Sequence, residues 1–346
     1  MKIRSFIGDV LEQPHTLEEA VISYPQSSVE SLIPRIHNGE ITRVILAGQG
    51  SSYNALYPAL THLSKLPIPV SLWQTAELLH YGLLQIDANT LLCLSSQSGS
   101  SVEMLRLVAS FTKLRPACIV AFTNNENSPL GTVADITIPL HAGEEHGVAV
   151  KTYISTLSLS ILFSVQLTGG DLVHAMNNYH ALSKSFGEFL KNFEEKLLEY
   201  EKVLNNTDQI MVVGRGPSTA SALNSALNQK EAVWKFSEGM NAAEFRHGPL
   251  ELADDKLSLF VLEGDKRTKT YNQVLAEEVQ GYGSSVYWVG NHPPEGIPCI
   301  LTPEVAEIFQ PAADIIPMQL IAQVLATRIN KEAGAFRHIG KVVLVE

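Results

Sequence analysis

Arg43-Val-Ile-Leu-Ala-Gly-Gln-Gly-Ser-Ser-Tyr53 is the stretch of sequence that decides the fold class. Its apolar beginning, Arg43–Ala47, predicts a buried strand, and the glycine- and serine-rich turn after it opens a stretch with a helical pattern. A similar unit returns at Ile210–Val213, which runs into Gly214-Arg-Gly-Pro-Ser-Thr-Ala-Ser-Ala-Leu223. A strand, a glycine turn and a helix, found twice, predict a duplicated α/β unit.

Further strands and helices are predicted in both units. The strands are Thr90–Leu94, Ala117–Thr123, Leu257–Leu262 and Ser285–Val289. An amphipathic helix is predicted at Val102–Lys113, and a further helix near Tyr271–Gly281. Alternating strands and helices are typical of parallel sheets. We therefore predict two doubly wound, flavodoxin-like lobes, each a parallel sheet flanked by helices.

The order of domains along the chain follows from these units. A length of 346 residues suggests two domains of ordinary size. Residues 1–40 are predicted to be a helical N-terminal segment, with a helical pattern around Val29–Ile36. Residues 41–170 form the first lobe, 171–204 a helical connector, and 205–346 the second lobe with its C-terminal tail.

Composition narrows the range of partners and cofactors. The formal net charge is −11 and no dense basic run is present, so neither nucleic acid nor an anionic membrane surface is an expected partner. The start of the chain lacks a signal-peptide pattern, and no run reaches the about 20 apolar residues of a membrane span. We expect a cytoplasmic protein. The three cysteines sit in apolar runs, and no cluster has metal-ligand spacing, so neither a metal nor a cofactor is expected.

The serine-rich run Ser95–Ser101 is a candidate phosphate site. It follows a predicted strand and precedes a predicted helix, where free backbone N–H groups and the helix dipole favour an anion. Gly48–Ser52 offers a second set of donors after a neighbouring strand. The same residue types also suit ordinary turns and helix N-caps. A third glycine at the dinucleotide spacing is missing from this turn, so no NAD site is predicted.

Several of these motifs resemble those of the SIS (sugar isomerase) domain family, especially the isomerase half of glucosamine-6-phosphate synthase. LSSQSGSS, at 94–101, is similar to the LSQSGET phosphate loop of that family, and GQGSSYNA, at 48–55, is similar to its CGTSYN loop. AGEEHGVA, at 142–149, resembles its AGTEIGVAS stretch. The resemblance runs from about residue 40 to the C-terminus. It implies two tandem SIS lobes and a small-molecule phosphosugar as substrate.

The resemblance also implies a set of substrate-binding residues. Ser52 and four residues of the serine-rich loop are expected to hold the phosphate, and Val148 is expected to contact the sugar through its backbone. The four loop residues are Ser96, Gln97, Ser98 and Ser101.

Three side chains are candidates for the chemistry. Glu231 and His247 are a carboxylate and an imidazole, the usual pair for proton transfer and ring opening, although such residues are commonly solvated charges. KE at 230–231 followed by EFRHGPL at 244–250 resembles the signature of the synthase's second lobe. That resemblance implies Glu231 as the C1/C2 base and His247, supplied by the other subunit of a homodimer with shared active sites, as the ring-opening acid–base. Lys341 matches a synthase lysine, in NLAKSVTVE, that forms a Schiff base with fructose 6-phosphate.

The sequence also departs from the synthase pattern. No segment corresponds to the synthase's N-terminal glutaminase domain, so we expect that the chain does not take ammonia from glutamine unaided. Asn224 stands where the synthase has a glutamate, Val150 where it has a serine, and His146 where it has an isoleucine. These changes leave the identity of the sugar open.

Three functions fit these residues. The first is an isomerising deaminase that converts glucosamine 6-phosphate, or a close amino-sugar phosphate, to fructose 6-phosphate and ammonia. The second is a fructosamine-6-phosphate deglycase, because EFRHGPLE resembles the deglycase form of the motif. Lys341 favours the deaminase, since the deglycases work without the terminal lysine. The third is a non-catalytic SIS sensor of sugar phosphates, which the retained Glu231 and His247 disfavour.

Overall fold

The computed structural model describes residues 5–111, 115–205, 208–338 and 340–343. These residues form two compact units. The first lobe comprises residues 15–145 and 151–180 together with the described residues from His338 onward. The second lobe comprises the described residues up to Pro14, residues 146–150, and those from 181 to Arg337. The tail from His338 onward, predicted as part of the second lobe, therefore groups with the first.

The first lobe contains a five-stranded parallel sheet in the order β2-β1-β3-β4-β5. Its strands are β1 (Arg43–Gly48), β2 (Val70–Gln74), β3 (Thr90–Ser95), β4 (Cys118–Thr123) and β5 (Ile136–Pro139). Its helices are α2 (Gln26–Glu30), α3 (Leu32–His37), α4 (Ser51–Leu63), α5 (Thr75–Glu77), α6 (Val102–Ser110), α7 (Pro129–Val133) and α8 (Lys151–Leu167). β1, β3 and β4 are buried almost throughout, because helices cover both faces of a parallel sheet.

The second lobe repeats this topology in the order β10-β9-β8-β6-β7. Its strands are β6 (Gln209–Gly214), β7 (Ser237–Asn241), β8 (Leu257–Leu262), β9 (Ser285–Val289) and β10 (Cys299–Ile300). Its helices are α10 (Phe193–Val203), α11 (Thr219–Val233), α12 (Lys269–Gly281) and α13 (Gln310–Arg328). Two helices contribute residues to both lobes, α1 (Phe6–Ile22) and α9 (Leu172–Leu190). When the strands of each lobe are numbered in chain order, both sheets have the flavodoxin-like order 2-1-3-4-5. This order confirms the predicted fold class.

The boundaries of most predicted elements are confirmed within one or two residues. Helix α6 ends at Ser110, and the predicted end at Lys113 lies outside the described residues. The pattern around Val29–Ile36 is helical, as predicted, and forms two short helices, α2 and α3. Pro34 has no N–H with which to bond the carbonyl of Glu30, and this missing bond favours the break at Ser31 between the two helices.

Helix α13 lies in the core of the second lobe. Residues Glu307–Arg328 are long and apolar enough, by length and composition alone, to cross a membrane. However, 83% of the apolar stretch is buried within the structure. A helix that is apolar on all sides is expected at the centre of a large folded domain, so this segment is a core helix.

Asp314 on α13 should make the stability of the second lobe depend on pH. Burial raises the pKa of Asp314 to about 7, although hydrogen bonds from Ser218 and Gln310 partly oppose this shift. Between pH 4 and 7 the folded chain then holds a proton that the unfolded chain has lost, so stability falls as pH rises. Between pH 5 and 8 this effect should lower the free energy of unfolding of wild type by about 3 kcal/mol. We expect Asp314→Asn to lack this decrease.

Urea unfolding of wild type and Asp314→Asn at these two pH values measures the effect. Asp254→Asn, in an exposed loop, is the matched control and should keep the wild-type pH dependence. An unchanged dependence in Asp314→Asn would show that Asp314 is ionised in the folded chain at both pH values.

Candidate functional site

Two polar loops lie at the point where the strand order of the first sheet reverses direction, between β1 and β3. β1 and β3 are neighbours, with Gly48 paired to Ser95, and each is followed by a serine-containing turn. Ligands of doubly wound sheets bind at this switch point, beyond the carboxyl ends of the strands. The structure thus brings Ser52, in the first turn of α4, to the same sheet edge as the loop Ser96–Ser101.

The Ser96–Ser101 loop is a tight turn that leads directly into helix α6. The N–H of Gly99 donates to the carbonyl of Ser96 at 3.2 Å and to its Oγ at 3.1 Å. Gly99 has φ +62°, in the left-handed region that favours glycine. Ser101 is the N-cap of α6, and among the described residues its hydroxyl makes no capping hydrogen bond. A hydroxyl at a helix N-terminus can donate to a bound anion.

Asn124, which follows β4, connects the loop Ser96–Ser101, the predicted phosphate loop, to the segment Ala142–Glu145. Its backbone N–H donates to the carbonyl of Gln97 at 3.1 Å. Its side-chain oxygen accepts from Ala142 N at 2.8 Å, and its Nδ2 donates to the carbonyl of Gly143 at 2.8 Å. One residue, through its backbone and its side chain, therefore links two segments that resemble substrate-binding stretches. Asn124 was not among the predicted site residues.

The C-terminal tail lies against the same edge of the first lobe. Val102, the residue after the phosphate loop, donates its N–H to the carbonyl of Val343 at 3.1 Å. Lys341, two residues earlier, places its Nζ 2.6 Å from Oε2 of Glu145. The Glu145 carboxylate also accepts from Thr152 N at 3.1 Å and from Thr152 Oγ1 at 2.7 Å. The structure therefore brings the predicted lysine to the predicted phosphate loop.

The carboxyl edge of the second sheet holds a carboxylate of the chain itself. Glu263 follows β8, and its Oε2 accepts from the backbone N–H groups of Asn291 and His292, each at 2.8 Å. Trp288 Nε1 donates to the same oxygen at 3.1 Å. Burial acts to raise the pKa of Glu263, but these donors and Lys269 outweigh it and lower the pKa below its usual value. An ionised Glu263 disfavours a second anion here, so the two lobes differ in chemistry despite their common topology.

The other predicted residues belong to the second lobe. Glu231 is half-buried near the end of α11, on one helix face with Asn224 and Asn228 at i, i+4 and i+7. His247 is exposed after a short 3-10 turn, and its N–H donates to the carbonyl of Glu244 at 2.8 Å. Val148 has a buried side chain. That these residues meet the phosphate loop in one active site remains a prediction.

The cysteines lie where core thiols are expected. Cys93 in β3 and Cys118 in β4 are buried and free, and Cys299 is half-buried with its Sγ 3.1 Å from the carbonyl of Gly290. Within the described ranges, no three His, Cys, Asp or Glu side chains gather as potential metal ligands.

The sequence matches a known family in both lobes. The model of the SIS domain matches residues 40–165 and 203–327, well over half of the chain. The chain belongs to the SIS domain family. The two matches coincide with the two sheets, which confirms the predicted tandem SIS lobes.

Curated relatives of this SIS protein are isomerising glutamine–fructose-6-phosphate aminotransferases. One from Thermococcus kodakarensis is 26% identical over 98% of the chain, and one from Methanocaldococcus jannaschii is 28% identical over 98%. The chain covers 58% of the first and 31% of the second, so it spans only about half the length of such relatives, or less.

Solved structures share the fold at low sequence identity. The C-terminal domain of glucosamine-fructose-6-phosphate aminotransferase from Francisella tularensis has a TM-score of 0.82 at 18% identity, covering 96% of this chain and 99% of that one. A glucosamine-6-phosphate deaminase from Thermotoga maritima has a TM-score of 0.76 at 19% identity, covering 98% and 99%. Tagatose-6-phosphate ketose/aldose isomerase from Escherichia coli has a TM-score of 0.81 at 17% identity, covering 97% of each chain.

In this SIS protein the residues just before the tail are held by an aromatic clamp in the second lobe. Trp234, at the end of α11, has φ +57°, and the Arg337 guanidinium lies 3.4 Å from its ring centroid. Trp234 Nε1 donates to the carbonyl of Ala335 at 3.1 Å, and Gly334 N donates to the carbonyl of Ala232 at 3.1 Å. The residues that precede Lys341 are thus fixed to the helix that carries Glu231.

We expect Trp234→Ala to release the tail from this clamp. Losing the cation–π stack and the indole hydrogen bond should speed trypsin cleavage after Arg337 by about tenfold. Mass spectrometry of the released C-terminal peptide measures the rate. Trp234→Phe keeps a stacking ring but loses the N–H, so it should fall between wild type and Trp234→Ala. Equal rates in all three proteins would mean that the clamp does not hold the tail.

Proposed function

We propose that this SIS protein is an isomerising deaminase that converts glucosamine 6-phosphate, or a close amino-sugar phosphate, to fructose 6-phosphate and ammonia. The observation that carries the proposal is the position of Lys341. The tail bonds the residue after the phosphate loop, and Lys341 contacts a carboxylate of the segment that Asn124 ties to that loop. A lysine beside an anchored sugar phosphate can form an imine with the ketose carbonyl.

In the proposed reaction the phosphate anchors a flexible open-chain sugar. Ser96, Gln97, Ser98 and Ser101 hold it, with Ser52 from the neighbouring turn. An anchored phosphate turns the later steps into reactions within one complex.

The second lobe supplies the proton transfers. His247 opens the ring, and Glu231 moves a proton from C2 to C1 through an enolamine. Lys341 displaces ammonia from C2 as an imine, and water then releases the ketose phosphate; with fructose 6-phosphate, the product, the same imine forms by attack of Lys341 on the C2 carbonyl and loss of water. We further propose a homodimer in which His247 enters the partner's active site, a sugar contact from the Val148 backbone, and a cytoplasmic location.

A fructosamine-6-phosphate deglycase is the second candidate. The loop Ala243–Leu250 favours it, because EFRHGPLE is similar to the deglycase form of the motif and presents His247 exposed. A deglycase cleaves the amine from C1 with the glutamate and histidine alone, which would leave the Lys341–Glu145 contact without a role in the chemistry.

Proton and phosphorus NMR distinguishes these candidates. The protein is mixed with glucosamine 6-phosphate in one tube and with a fructosamine 6-phosphate in another. Fructose 6-phosphate and ammonium in the first tube are the expected result. Glucose 6-phosphate and free amine in the second tube alone would replace the deaminase with the deglycase. No reaction in either tube, with phosphosugar binding intact, would favour a sensor.

A further inference from the structure

We propose that Glu145 is the general base that removes the proton from Lys341 before the lysine attacks the sugar. The inference rests on the proposed function, because it assigns a partner to the imine-forming lysine. Glu145 lies in the segment AGEEHGVA, from which the sequence predicted only Val148 as a site residue.

The distance between the two groups permits direct proton transfer. Lys341 Nζ lies 2.6 Å from Glu145 Oε2, within the range for a charge-assisted hydrogen bond. A candidate base must lie within about 2.6–3.2 Å of the atom that gives up the proton. The Glu145 side chain has no exposed surface, whereas 28% of the Lys341 side chain is exposed. The lysine can therefore reach a ligand while the carboxylate remains fixed beneath it.

Glu145 is held in place by the first turn of α8. Thr152 donates its backbone N–H to Oε1 and its hydroxyl to Oε2. A buried carboxylate is costly unless charges and donors surround it, and here a cation and two donors do so. Because these bonds fix both oxygens, Oε2 is directed at the lysine. A surface ion pair of two mobile side chains would lack this preorganisation.

The proton transfer fits the chemistry of imine formation. Glu145 takes one proton from the Lys341 ammonium, and the nitrogen lone pair then attacks the ketose carbonyl carbon as the C=O π electrons move to oxygen. Glu145 returns the proton to that oxygen, then relays a second proton from nitrogen to the hydroxyl, which leaves as water. The C–O double bond is replaced by a protonated C=N bond, one water is released, and total charge is unchanged.

Reductive trapping tests the inference. Fructose 6-phosphate and cyanoborohydride are added to the full chain, and mass spectrometry follows adduct formation at Lys341. Glu145→Gln keeps the size of the side chain and an oxygen that can accept from Thr152 N. We expect its trapping rate to fall by about 100-fold, in the range found for loss of a general base. Its affinity for fructose 6-phosphate should change by less than about threefold, since the phosphate loop is untouched.

Two further variants separate a base from a structural charge. Glu145→Asp keeps the negative charge but withdraws it from Nζ by one methylene, so its trapping rate should also fall. Glu144→Gln removes the same charge from the adjacent exposed position and should trap at the wild-type rate. Normal trapping in both Glu145 variants would overturn the inference and leave the proposed function intact. No adduct at Lys341 in wild type would overturn both.

Discussion

Glu231→Gln should lower the rate of conversion of glucosamine 6-phosphate by about 10³-fold, in the range found for loss of a general base. The amide keeps the size of the side chain but cannot accept the proton that leaves C2. Glu231 is half-buried near the end of α11, so the substitution removes no core packing. The phosphate loop lies in the other lobe, and phosphosugar affinity should therefore stay within about threefold of wild type.

Exchange of the C2 proton with deuterated solvent reports this step directly. Proton NMR of glucosamine 6-phosphate in D₂O should show exchange with wild type and none with Glu231→Gln. Glu238→Gln, at an exposed position in the same lobe, removes an equal charge and should exchange normally. Lost affinity combined with normal turnover of bound sugar would remove Glu231 from the proton transfer and place it in substrate binding.

The predicted strands share a property that made them visible in the sequence. β1, β3, β4 and β8 are short apolar runs, each bounded by polar or glycine-rich turns, and all are buried on both faces. Four further strands, β2, β5, β7 and β10, were not predicted. β2 is half-exposed along most of its length, and β10 has only two residues.

β7, whose sequence is SEGMN, was also missed because tertiary packing forms it. A Cβ at Gly239 would lie 2.3 Å from the carbonyl of Ala222, so the glycine lets this strand approach α11 closely. No alternation of apolar residues could have indicated that contact.

The candidate site also contains some residues that the sequence could predict and others that it could not. Its serine-rich loops are continuous motifs that follow strands, so the sequence alone located them. Glu145 and Asn124 act through partners distant in the chain, for example Glu145 and Lys341, which are 196 positions apart. The doubled glutamate in AGEEHGVA was the available signal, but nothing in the sequence showed which of the two is buried. Burial and hydrogen-bond partners distinguish them only once the chain is folded.

Gly99→Ala should destabilise the first lobe by about 3–5 kcal/mol and abolish phosphosugar binding. A Cβ at Gly99 would lie 1.9 Å from Ser128 Oγ and 2.6 Å from Ser128 Cβ. Ser128 cannot withdraw freely, because its Oγ caps α7 by accepting from the N–H of Gly131 at 3.1 Å. The loop must therefore shift, which breaks the turn between Ser96 and Gly99 and moves the donors away from the phosphate.

Gly169→Ala is the matched control, because it imposes a similar backbone cost without the collision. Gly169 also belongs to the first lobe and has φ +71°, but a Cβ there would meet no atom within 4 Å. It should cost only about 1–2 kcal/mol, the strain of alanine in the left-handed region, and leave binding unchanged. Urea unfolding and calorimetric titration with fructose 6-phosphate measure both quantities. Equal destabilisation by the two substitutions, with binding retained in Gly99→Ala, would mean that the loop adapts and that its tight turn is not needed to hold the phosphate.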